Sequence, residues 1–289
     1  MTFVLNTIDK SIIQIALKED LLASSKDVTT DCFAQFKTIP YQLSLISKHN
    51  TPIVLAGLSL MKEIFNHLNF SVNIEFTCTD GDMVQPGGVI AVLTGEAAVL
   101  LFAERTILNF LRHLSGIATL TSQFVSAVSH TDLIILDTRK TTPGLRHLEK
   151  YAVTCGGGVN HRAGLYDAIL LKDNHVDLVG GMSQALAHLP LLSTHDLPVI
   201  VEVRDEAELK VVMQEGIGKI TRVLLDNMTL TQIKTCAKLA REQYETEASG
   251  DITLRNIKAI AETGVQYASV GALTHSAGQV DLSMQKEQE

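Results

Sequence analysis

The second half of the chain repeats one pattern, in which a short apolar run ends in a polar residue or a glycine. Helical patterns lie between several of these runs, as at 231–243 and 253–263. The apolar runs, which we interpret as strands, span residues 133–138, 168–173, 198–203, 222–227, 244–250 and 267–272. Short buried strands that alternate with helices predict a parallel β-sheet with helices packed on it. This half of the chain is therefore predicted to be an α/β fold.

The carboxyl ends of the predicted strands carry the residues of greatest chemical interest. Repeated right-handed connections between parallel strands can close such a sheet into a barrel, whose active site forms at the carboxyl ends. An open, doubly wound sheet would place the same residues at one edge, so the pattern alone leaves both folds open. The strand-end residues are Asp137, Lys172, Glu202, Asp226, Ser249 and Gly271. Either fold gathers these side chains into one region.

Roughly the first 112 residues mix helices and strands without this alternation, which predicts an α+β region. Turn glycines flank an apolar run at 80–95, so this segment is interpreted as a hairpin. A long helical pattern from 96 to 128 is predicted to be interrupted at Ser115-Gly116. The other predicted elements are helices at 8–21 and 58–68 and strands at 41–48 and 71–78.

Composition and charge exclude several classes of protein. The chain has a formal net charge of -8, which argues against a general nucleic-acid binder because phosphate contacts need clustered Lys and Arg. The apolar runs fall far short of the ~18 residues that a membrane-spanning helix needs. The beginning of the sequence lacks the pattern of a secretory signal, and the four cysteines form no CxxC pair. We therefore expect a reduced, cytoplasmic protein with no nucleic-acid or membrane partner.

The segment 137–175 is locally basic within this acidic chain. Arg139-Lys140 and His161-Arg162 lie in loops rich in Gly and Thr, where barrels place binding residues. Guanidinium groups bind carboxylates through two hydrogen bonds, and Lys acts as a compact positive charge. The cluster therefore predicts a site for a polyanionic ligand. By contrast, Arg146 and Lys150 lie on a predicted helix and are interpreted as surface charge.

Glycines that follow two predicted strands suit a phosphate. Ser249-Gly250 and Gly271 each precede a predicted helix, where backbone N–H groups favour an anion. The run Gly156-Gly157-Gly158 could also let the backbone approach a phosphate, or it could be a plain turn. The two strand-end glycines are therefore the stronger phosphate candidates.

Glu202 and Asp226 end adjacent predicted strands. Two carboxylates placed in this way can act as acid and base, or hold a divalent metal and sugar hydroxyls. A structural ion pair with nearby lysines is the alternative. His175 and His275 have no partner at the spacing of zinc ligands, so zinc is not expected.

Seven stretches of the chain match, in order, the pattern of one known family of enzymes. They include DTRKTTPGLR, CGGGVNHRAGLYDAILLKDNH and EASGDITLRNI. The full set spans residues 103–119, 137–146, 155–175, 201–203, 224–227, 247–257 and 268–276, with weaker similarity at 18–21 and 27–30. These stretches resemble the quinolinate phosphoribosyltransferase (carboxylating nicotinate-nucleotide pyrophosphorylase) family.

Two positions depart from the family pattern. Asp251 stands where many relatives have glycine, which adds a negative charge near the proposed phosphate loop. Lys26 and its neighbours replace a glycine-rich turn that often precedes the segment at 27–30. The second departure bears only on local N-terminal structure.

The resemblance implies a subunit of two parts. It also implies that two subunits form a homodimer, and a higher oligomer is the alternative. Residues 1–112 would form an N-terminal α/β sandwich (an α+β domain), which the C-terminal residues 275–289 complete. Residues 113–274 would form an incomplete, seven-stranded α/β barrel that carries the site. Arg105 would reach into the barrel of the partner subunit. The site is thus implied to need both subunits.

The resemblance also assigns the candidate site residues. Quinolinate would be bound by Arg105, Arg139, His161, Arg162 and Lys172. The phosphoribosyl donor would be bound by Lys140, Glu202, Asp226, Ser249, Gly250, Gly271 and His275. The catalytic residues would be Lys140, Lys172, Glu202 and Asp226. The last two would also hold Mg²⁺, indirectly or through the pyrophosphate.

The implied reaction belongs to de novo NAD biosynthesis. A phosphoribosyl group would pass from 5-phosphoribosyl 1-pyrophosphate to quinolinate with decarboxylation, giving nicotinate mononucleotide, CO2 and pyrophosphate. Mg²⁺ would accompany the donor, and no organic cofactor is expected. The alternatives are a phosphoribosyltransferase-like paralogue linked to molybdenum uptake, a barrel lyase with Lys172 as Schiff-base nucleophile, and a non-catalytic protein that retains the pocket.

Overall fold

The computed structural model describes residues 3–21, 27–37, 39–191 and 196–286. Lys26, one of the departures from the family pattern, lies outside these residues. The chain forms two compact units. The first comprises Met1–Ser122, Thr141–Gly157 and Ala277–Glu289, and the second comprises Gln123–Lys140 and Gly158–Ser276. No helix in the described ranges is long and apolar enough to cross a membrane.

The described residues form strands β1 to β12 and helices α1 to α10. In chain order the strands are Pro40–Ser47, Ile53–Val54, Asn73–Phe76, Met83–Val84, Val89–Glu96, Ile134–Leu136, Ile169–Leu171, Val199–Val203, Arg222–Asp226, Glu245–Ser249, Tyr267–Ser269 and Leu282–Gln285. The helices are Thr7–Leu21, Ser59–His67, Ala97–Ala127, Arg146–Cys155, Asp173–Leu178, Met182–Ala187, Glu206–Glu215, Leu230–Ala240, Ile257–Ala261 and Ala272–His275. Two short 3₁₀ helices, Thr30–Cys32 and Ala34–Lys37, precede β1.

An antiparallel sheet of four strands, in the order β12-β1-β5-β3, forms the framework of the first unit. The C-terminal strand β12 pairs with β1, where Met284 lies opposite Leu45. Leu45 and Leu93 of the two central strands are fully buried, so the sheet covers the core of this unit. The last strand of the chain therefore belongs to the same sheet as the first.

The hairpin predicted at 80–95 is wrong. Strand β4 pairs with β2 in a separate two-stranded sheet, whereas β5 lies between β1 and β3. Gly87, with a φ of +78°, does turn the chain. However, its N–H donates to the Ser47 carbonyl at 2.9 Å, and the Ser47 N–H donates to the Gly88 carbonyl at 3.0 Å. The turn is therefore bonded to the end of β1, and the two strands that it connects enter different sheets.

The long helix α3 is uninterrupted, so the break predicted at Ser115-Gly116 is also wrong. The Ser115 hydroxyl accepts a hydrogen bond from the Ala56 N–H at 3.1 Å, which satisfies a backbone group beside β2. Gly116 lets the C-terminal segment approach the helix, since a β-carbon there would overlap the Gly278 carbonyl oxygen. The small and polar residues in this helix serve close packing.

Helix α4 packs within the first unit, although the segments on both sides of Thr141–Gly157 belong to the second. Its Glu149 is fully buried, lies 2.9 Å from His113 and accepts a hydrogen bond from the Thr142 N–H at 3.2 Å. Lys150 is only 4% exposed, so the interpretation of this residue as surface charge is wrong. The first unit therefore includes Thr141–Gly157, whereas the division predicted at residues 112 and 275 assigns this segment to the barrel.

A parallel sheet of six strands, in the order β6-β11-β10-β9-β8-β7, forms the second unit. Strands β7 to β11 are neighbours in chain order, and the first strand of the unit, β6, pairs with β11, the last. In a doubly wound sheet the order of the strands would reverse at a switch point. The observed order is that of a barrel, so the open-sheet alternative is excluded.

Six strands stand where the resemblance implies seven. Val159 forms an isolated parallel bridge with Leu136, on the side of β6 away from β11. The seventh position is therefore occupied by a single bridge. Within the described ranges no pairing joins Val159 to β7. The barrel is incomplete at this edge.

We predict that Gly116→Ala destabilises the protein, although alanine is the better helix former by about 1 kcal/mol. The added methyl would overlap the Gly278 carbonyl oxygen, and overpacking of this kind costs ~1–3 kcal/mol. Urea unfolding should therefore show a lower free energy of unfolding. The control is Gln123→Ala, at an exposed position of the same helix, which should change it by less than ~0.5 kcal/mol. A Gly116→Ala variant as stable as the parent would contradict the close packing of the C-terminal segment.

Candidate active site

Alternate residues of the parallel strands share one face of the sheet, because side chains along a strand point to opposite faces. On β10 this face carries Glu247 and Ser249, and Ser249 is paired with Asp226 of β9. Leu224, two residues before Asp226, is paired with Glu202 of β8. The predicted strand-end residues Glu202, Asp226 and Ser249 therefore point to the same face.

This face is the inside of the barrel. His161 comes two residues after Val159, which is three strand spacings from β10, or about 14 Å in a flat sheet. Nevertheless, the His161 Nε2 lies 3.4 Å from the Glu247 carboxylate. The sheet must curl around this face for the two side chains to meet.

The guanidinium groups of Arg139 and Arg162 lie close enough for their charges to interact. Burial, and then the charge of Arg139, lower the pKa of Arg162, and Asp167 acts in the opposite direction. The Arg162 Nη1 donates to the Ala168 carbonyl at 3.2 Å. The Arg139 Nε is buried and has no hydrogen-bond partner among the described residues. A buried donor without a partner costs about 1–3 kcal/mol, and a bound carboxylate would remove that cost.

The loop that carries His161 and Arg162 is anchored to the end of β6. The carboxylate of Asp137, which is fully buried, accepts a hydrogen bond from the His161 N–H at 2.8 Å. Asp137 is the first of the predicted strand-end residues, and this contact is with the backbone of the loop. We therefore interpret it as a support for the loop.

Glu202, Asp226 and Lys172 form a second cluster at the carboxyl ends of β7 to β9. Burial raises the pKa of Glu202, the charges of Asp226 and Asp173 raise it further, and Lys172 opposes them. Glu202 and Asp226 are half-buried, and Lys172 is exposed. Carboxylates that repel one another in this way favour a positively charged ligand. In the part of the chain that the structure describes, no group of three His, Cys, Asp or Glu could hold a metal by itself.

The loops after β9 and β10 are joined by a hydrogen bond and by close packing. The Asn227 N–H donates to the Ser249 carbonyl at 3.0 Å, and its side-chain amide donates to Asp226 at 2.6 Å. Gly250 has a φ of +101°, and a β-carbon there would overlap the Asn227 side chain. Asp251 is exposed and has a φ of +46°, a conformation that Asp tolerates better than most residues. Glycine is therefore required at 250, and Asp251 fits the local backbone.

Gly271 lies between two side chains predicted to bind the same ligand. A β-carbon at Gly271 would lie 3.1 Å from the Lys140 Cδ and 3.1 Å from the His275 Nε2. The Thr274 hydroxyl donates to the Lys140 carbonyl at 2.8 Å, which ties the loop after β6 to α10. Lys140 and His275 are exposed. The structure thus brings Lys140, Gly271 and His275 together.

Three residues singled out from the sequence have other surroundings. Arg105 is exposed on α3 in the first unit. Gly156 ends α4 and packs against α3, since a β-carbon there would overlap the Ala118 carbonyl oxygen, so helix packing explains this glycine. The His175 Nδ1 accepts a hydrogen bond from the Lys172 N–H at 3.0 Å and caps α5.

A charged cluster on the inner face of the barrel was missed from the sequence. Arg222, at the start of β9, donates to Glu245 at 2.8 Å and to Glu247 at 3.1 Å. Its guanidinium also lies 3.7 Å from the centre of the Tyr267 ring. The available signal was strand 245–249, whose inward positions carry Glu, Glu and Ser where barrels usually carry branched aliphatic residues.

Glu247 is ionised in spite of its complete burial. Burial alone would raise the pKa of its carboxyl group. His161, Ser269 and Arg222 together outweigh burial, and the pKa is lowered from its ordinary value. The barrel interior therefore holds a negative charge between two basic side chains.

A cavity of about 560 Å³ lies at the amino ends of β8 to β10. Thr221, Arg222 and Glu245 contribute to its wall. Of the residues predicted to bind substrate, only His161 and Arg162 line it. The cavity therefore lies at the amino ends of these strands and is reached by His161 and Arg162, whereas the predicted strand-end residues lie at the carboxyl ends.

The structure is an incomplete parallel α/β barrel with interacting guanidinium groups, and its strand ends carry clustered carboxylates and glycine-bearing loops. This combination is typical of an enzyme that acts on anionic substrates. Family comparison gives the particular class. Residues 27–115 match the family described as quinolinate phosphoribosyl transferase, N-terminal domain, and residues 117–285 match its C-terminal domain.

Individual relatives agree. The chain is 44% identical to the probable nicotinate-nucleotide pyrophosphorylase (carboxylating) of Bacillus subtilis (strain 168), over 80% of this chain and 79% of that protein. It is 38% identical to the chloroplastic nicotinate-nucleotide pyrophosphorylase (carboxylating) of Arabidopsis thaliana, over 97% of this chain and 83% of that protein. The solved structure of the nicotinate-nucleotide pyrophosphorylase from Francisella tularensis matches with a TM-score of 0.90 and 36% identity, over 99% and 98% of the two chains. The chain belongs to the quinolinate phosphoribosyltransferase family.

We predict that Arg222→Met lowers the free energy of unfolding at pH 7 by ~3–5 kcal/mol, because it removes one cationic partner of the buried Glu247. The pKa of Glu247 is lower in the folded protein than its ordinary value of 4.5. Stability from the ionised carboxylate is therefore fully present above that value and is lost as the pH falls through the folded pKa. The loss caused by Arg222→Met should shrink accordingly below pH 4.5.

Denaturant unfolding across this pH range measures the effect. Arg241→Met, at an exposed position after α8, is the matched control and should change the free energy of unfolding by less than ~0.5 kcal/mol. A loss for Arg222→Met that stays constant down to low pH would contradict an ionised Glu247 in the barrel.

Proposed function

We propose that this chain transfers the 5-phosphoribosyl group of phosphoribosyl pyrophosphate to quinolinate, with loss of CO2, to give nicotinate mononucleotide and pyrophosphate. Family membership supports this reaction, because the relatives described above are named as carboxylating nicotinate-nucleotide pyrophosphorylases. The observation that carries the proposal is the pair Arg139 and Arg162, in which the buried Arg139 Nε has no hydrogen-bond partner among the described residues. The molybdenum-linked paralogue is not favoured, since these relatives carry the pyrophosphorylase name.

Quinolinate carries two carboxylates on neighbouring ring carbons, so it needs more than one cationic partner. Arg139 and Arg162 offer planar donor groups that match carboxylates, and their mutual repulsion is relieved when an anion binds between them. Lys172, at the end of β7, adds a compact positive charge beside Glu202. Because Lys172 is exposed, it also lacks the desolvation that activates a Schiff-base lysine, which disfavours the lyase alternative.

The phosphoribosyl donor is assigned to the other strand ends. Lys140 and His275 flank Gly271, where the absence of a side chain leaves room for the 5-phosphate. Ser249 and Gly250 would add a hydroxyl and backbone N–H groups from the loop after β10. Glu202 and Asp226 would accept hydrogen bonds from the ribose hydroxyls.

The reaction needs positioning and charge stabilisation more than proton transfer. The lone pair of the pyridine nitrogen forms a bond to C1 of the ribose while the C1–oxygen bond breaks and its electron pair leaves with pyrophosphate. Positive charge develops on the ribose in the transition state, and the carboxylates of Glu202 and Asp226 stabilise it. The pyridinium ring then takes up the electron pair left when the 2-carboxylate departs as CO2, and the ring carbon takes a proton from water.

Magnesium is proposed to arrive with the donor. Mg²⁺ prefers oxygen ligands and is usually held by one or two carboxylates together with substrate phosphates and water. Glu202 and Asp226 fit this role, since each is half-buried and their negative charges repel each other. When bound, the ion would neutralise charge on the departing pyrophosphate.

We also propose a homodimer in which Arg105 of the partner subunit joins the quinolinate site. Its exposed position on α3 supports this, because a long basic side chain there is open to a second subunit. The proposed compartment is the cytoplasm, which is supported by four cysteines that are all unpaired thiols.

The function is tested by incubating the purified chain with quinolinate, phosphoribosyl pyrophosphate and Mg²⁺. Nicotinate mononucleotide and CO2 should form in equal amounts, and neither should form when either substrate is left out. Nicotinate in place of quinolinate should react poorly, because it lacks the second carboxylate that the paired guanidiniums bind. Equal turnover of nicotinate would contradict the dicarboxylate site.

We predict that Arg139→Ala leaves the fold intact and weakens quinolinate binding. Leaving a carboxylate without its partner typically costs ~2–5 kcal/mol, which should appear as a higher KM for quinolinate. Steady-state kinetics with each substrate varied in turn measures the effect. Arg241→Ala, which removes an exposed arginine after α8, is the control and should have parent kinetics. Unchanged kinetics in a folded Arg139→Ala variant would rule out the assigned role.

We predict that the acid limb of the kcat/KM profile reports Glu202 at a pKa above that of an ordinary glutamate, because burial and the charge of Asp226 both raise it. Activity should fall as the pH decreases through this raised pKa, since the protonated group no longer stabilises positive charge. Asp226→Asn removes one of the charges, so it should move the acid limb to lower pH and also reduce the rate. Asp132→Asn, at an exposed position, should leave the profile unchanged. An acid limb that stays in place in Asp226→Asn would exclude Glu202 as the titrating group.

A further inference from the structure

Both ring nitrogens of His161 face partners within the chain. The Nδ1 accepts a hydrogen bond from the Arg162 N–H at 2.7 Å. The Nε2 lies 3.4 Å from Oε1 of Glu247. The side chain is only 8% exposed. His161 is therefore built into the barrel wall, whereas the family resemblance implies a residue that contacts quinolinate.

The partner of Nδ1 determines which nitrogen carries the ring proton. A nitrogen that accepts from a backbone N–H carries no proton of its own, so the proton of the neutral ring lies on Nε2. This N–H points toward the fully buried carboxylate of Glu247. A quinolinate carboxylate needs a hydrogen-bond donor, and the only ring donor of the neutral His161 is already directed at Glu247.

Glu247 is placed to hold this ring. Its Oε2 accepts from Arg222 at 3.1 Å, and Arg222 also binds Glu245 at 2.8 Å, so Arg222 has a second acidic partner. Its Oε1 has no well-formed hydrogen bond among the described residues, and the 3.4 Å contact with His161 is longer than a usual one.

The location of the loop explains why side chains must anchor it. Residues 160–168 lie at the incomplete edge of the barrel, between the Val159 bridge and β7. Elsewhere in the sheet, ladder hydrogen bonds to both neighbouring strands fix the strand ends. At this edge the backbone of His161 and Arg162 is instead held by Asp137 at 2.8 Å and by the His161 ring at 2.7 Å.

We propose that Glu247 is a positioning residue, which holds the His161 ring so that the ring fixes the main chain at Arg162 and aims its guanidinium at quinolinate. His161 then supports the site, and Arg162 makes the contact with the substrate. The proposal rests on the function proposed above. It assigns a role in quinolinate binding to a fully buried residue on β10.

The test compares Glu247→Asp with the matched control Glu245→Asp. The first keeps the charge that faces Arg222 and withdraws the carboxylate from His161 by one methylene. The second makes the same change on the same face and against the same arginine, and the partners of Glu245 are Arg222 and Tyr267. We expect Glu247→Asp to raise the KM for quinolinate by ~10- to 100-fold, as for a small misplacement of a binding group. The KM for phosphoribosyl pyrophosphate, and both KM values of Glu245→Asp, should stay at the parent level.

A double-variant cycle separates positioning from a general loss of packing. If Glu247 acts through His161, then adding Glu247→Asp to His161→Ala raises the KM for quinolinate no further. An additive increase in the double variant would overturn the proposal, as would an unchanged KM in Glu247→Asp alone. A lower KM would also overturn it, because Glu247 would then act on the substrate as a repelling charge.

Two further measurements keep the outcomes distinct. If Glu247→Asp does not fold, as judged by circular dichroism, Glu247→Gln enters the same cycle, since it keeps the length of the side chain. The parent protein is assayed first with quinolinate. An inactive parent overturns the proposed function and the positioning role together, whereas an active parent with unaffected Glu247 variants overturns only the positioning role.

Discussion

The buried carboxylate of Glu247 lies inside the barrel, with His161 on one side and Arg222 on the other. A buried charge is tolerated only when partners face it. These partners come from β9 and from the segment after Val159, which lie on opposite sides of β10 along the sheet. They reach one carboxylate only because the sheet curls, so the curvature of the barrel and the charge of its interior depend on each other.

The same barrel holds two clusters of like charge, which Asp167 and Lys172 only partly offset. Burial is the main cause that lowers the pKa of Arg162, and the charge of Arg139 is the second. Burial is likewise the main cause that raises the pKa of Glu202, and the charge of Asp226 is the second. Each cluster is therefore adapted to a ligand of the opposite sign. A dicarboxylate suits the guanidiniums, and a ribose that develops positive charge, together with a divalent cation, suits the carboxylates. In the proposed reaction, the bound quinolinate would offset the positive charge of the guanidiniums, and the transition state would offset the negative charge of the carboxylates.

Much of this could be predicted from the sequence, because apolar runs that end in polar residues determine both the parallel strands and the edge where Glu202, Asp226 and Ser249 meet. Turn glycines and small helical residues were less informative, because their partners are distant in sequence. Gly87 marks a turn that is bonded to β1, and Gly116 marks a close approach to the C-terminal segment. The same holds for Lys150, whose burial depends on the packing of α4. The roles of the site residues came from the family resemblance. The charged interior was missed because Glu245 and Glu247 acquire meaning only when the barrel closes around them.

The crystal structure of the chain with quinolinate bound tests most directly whether paired guanidiniums, held in place from within the barrel, form the dicarboxylate site. We predict carboxylate oxygens within hydrogen-bond distance of the Arg139 and Arg162 side chains. His161 should still accept from the Arg162 N–H and direct its Nε2 toward Glu247. A quinolinate carboxylate bound to the His161 Nε2, with the ring turned away from Glu247, would contradict this arrangement.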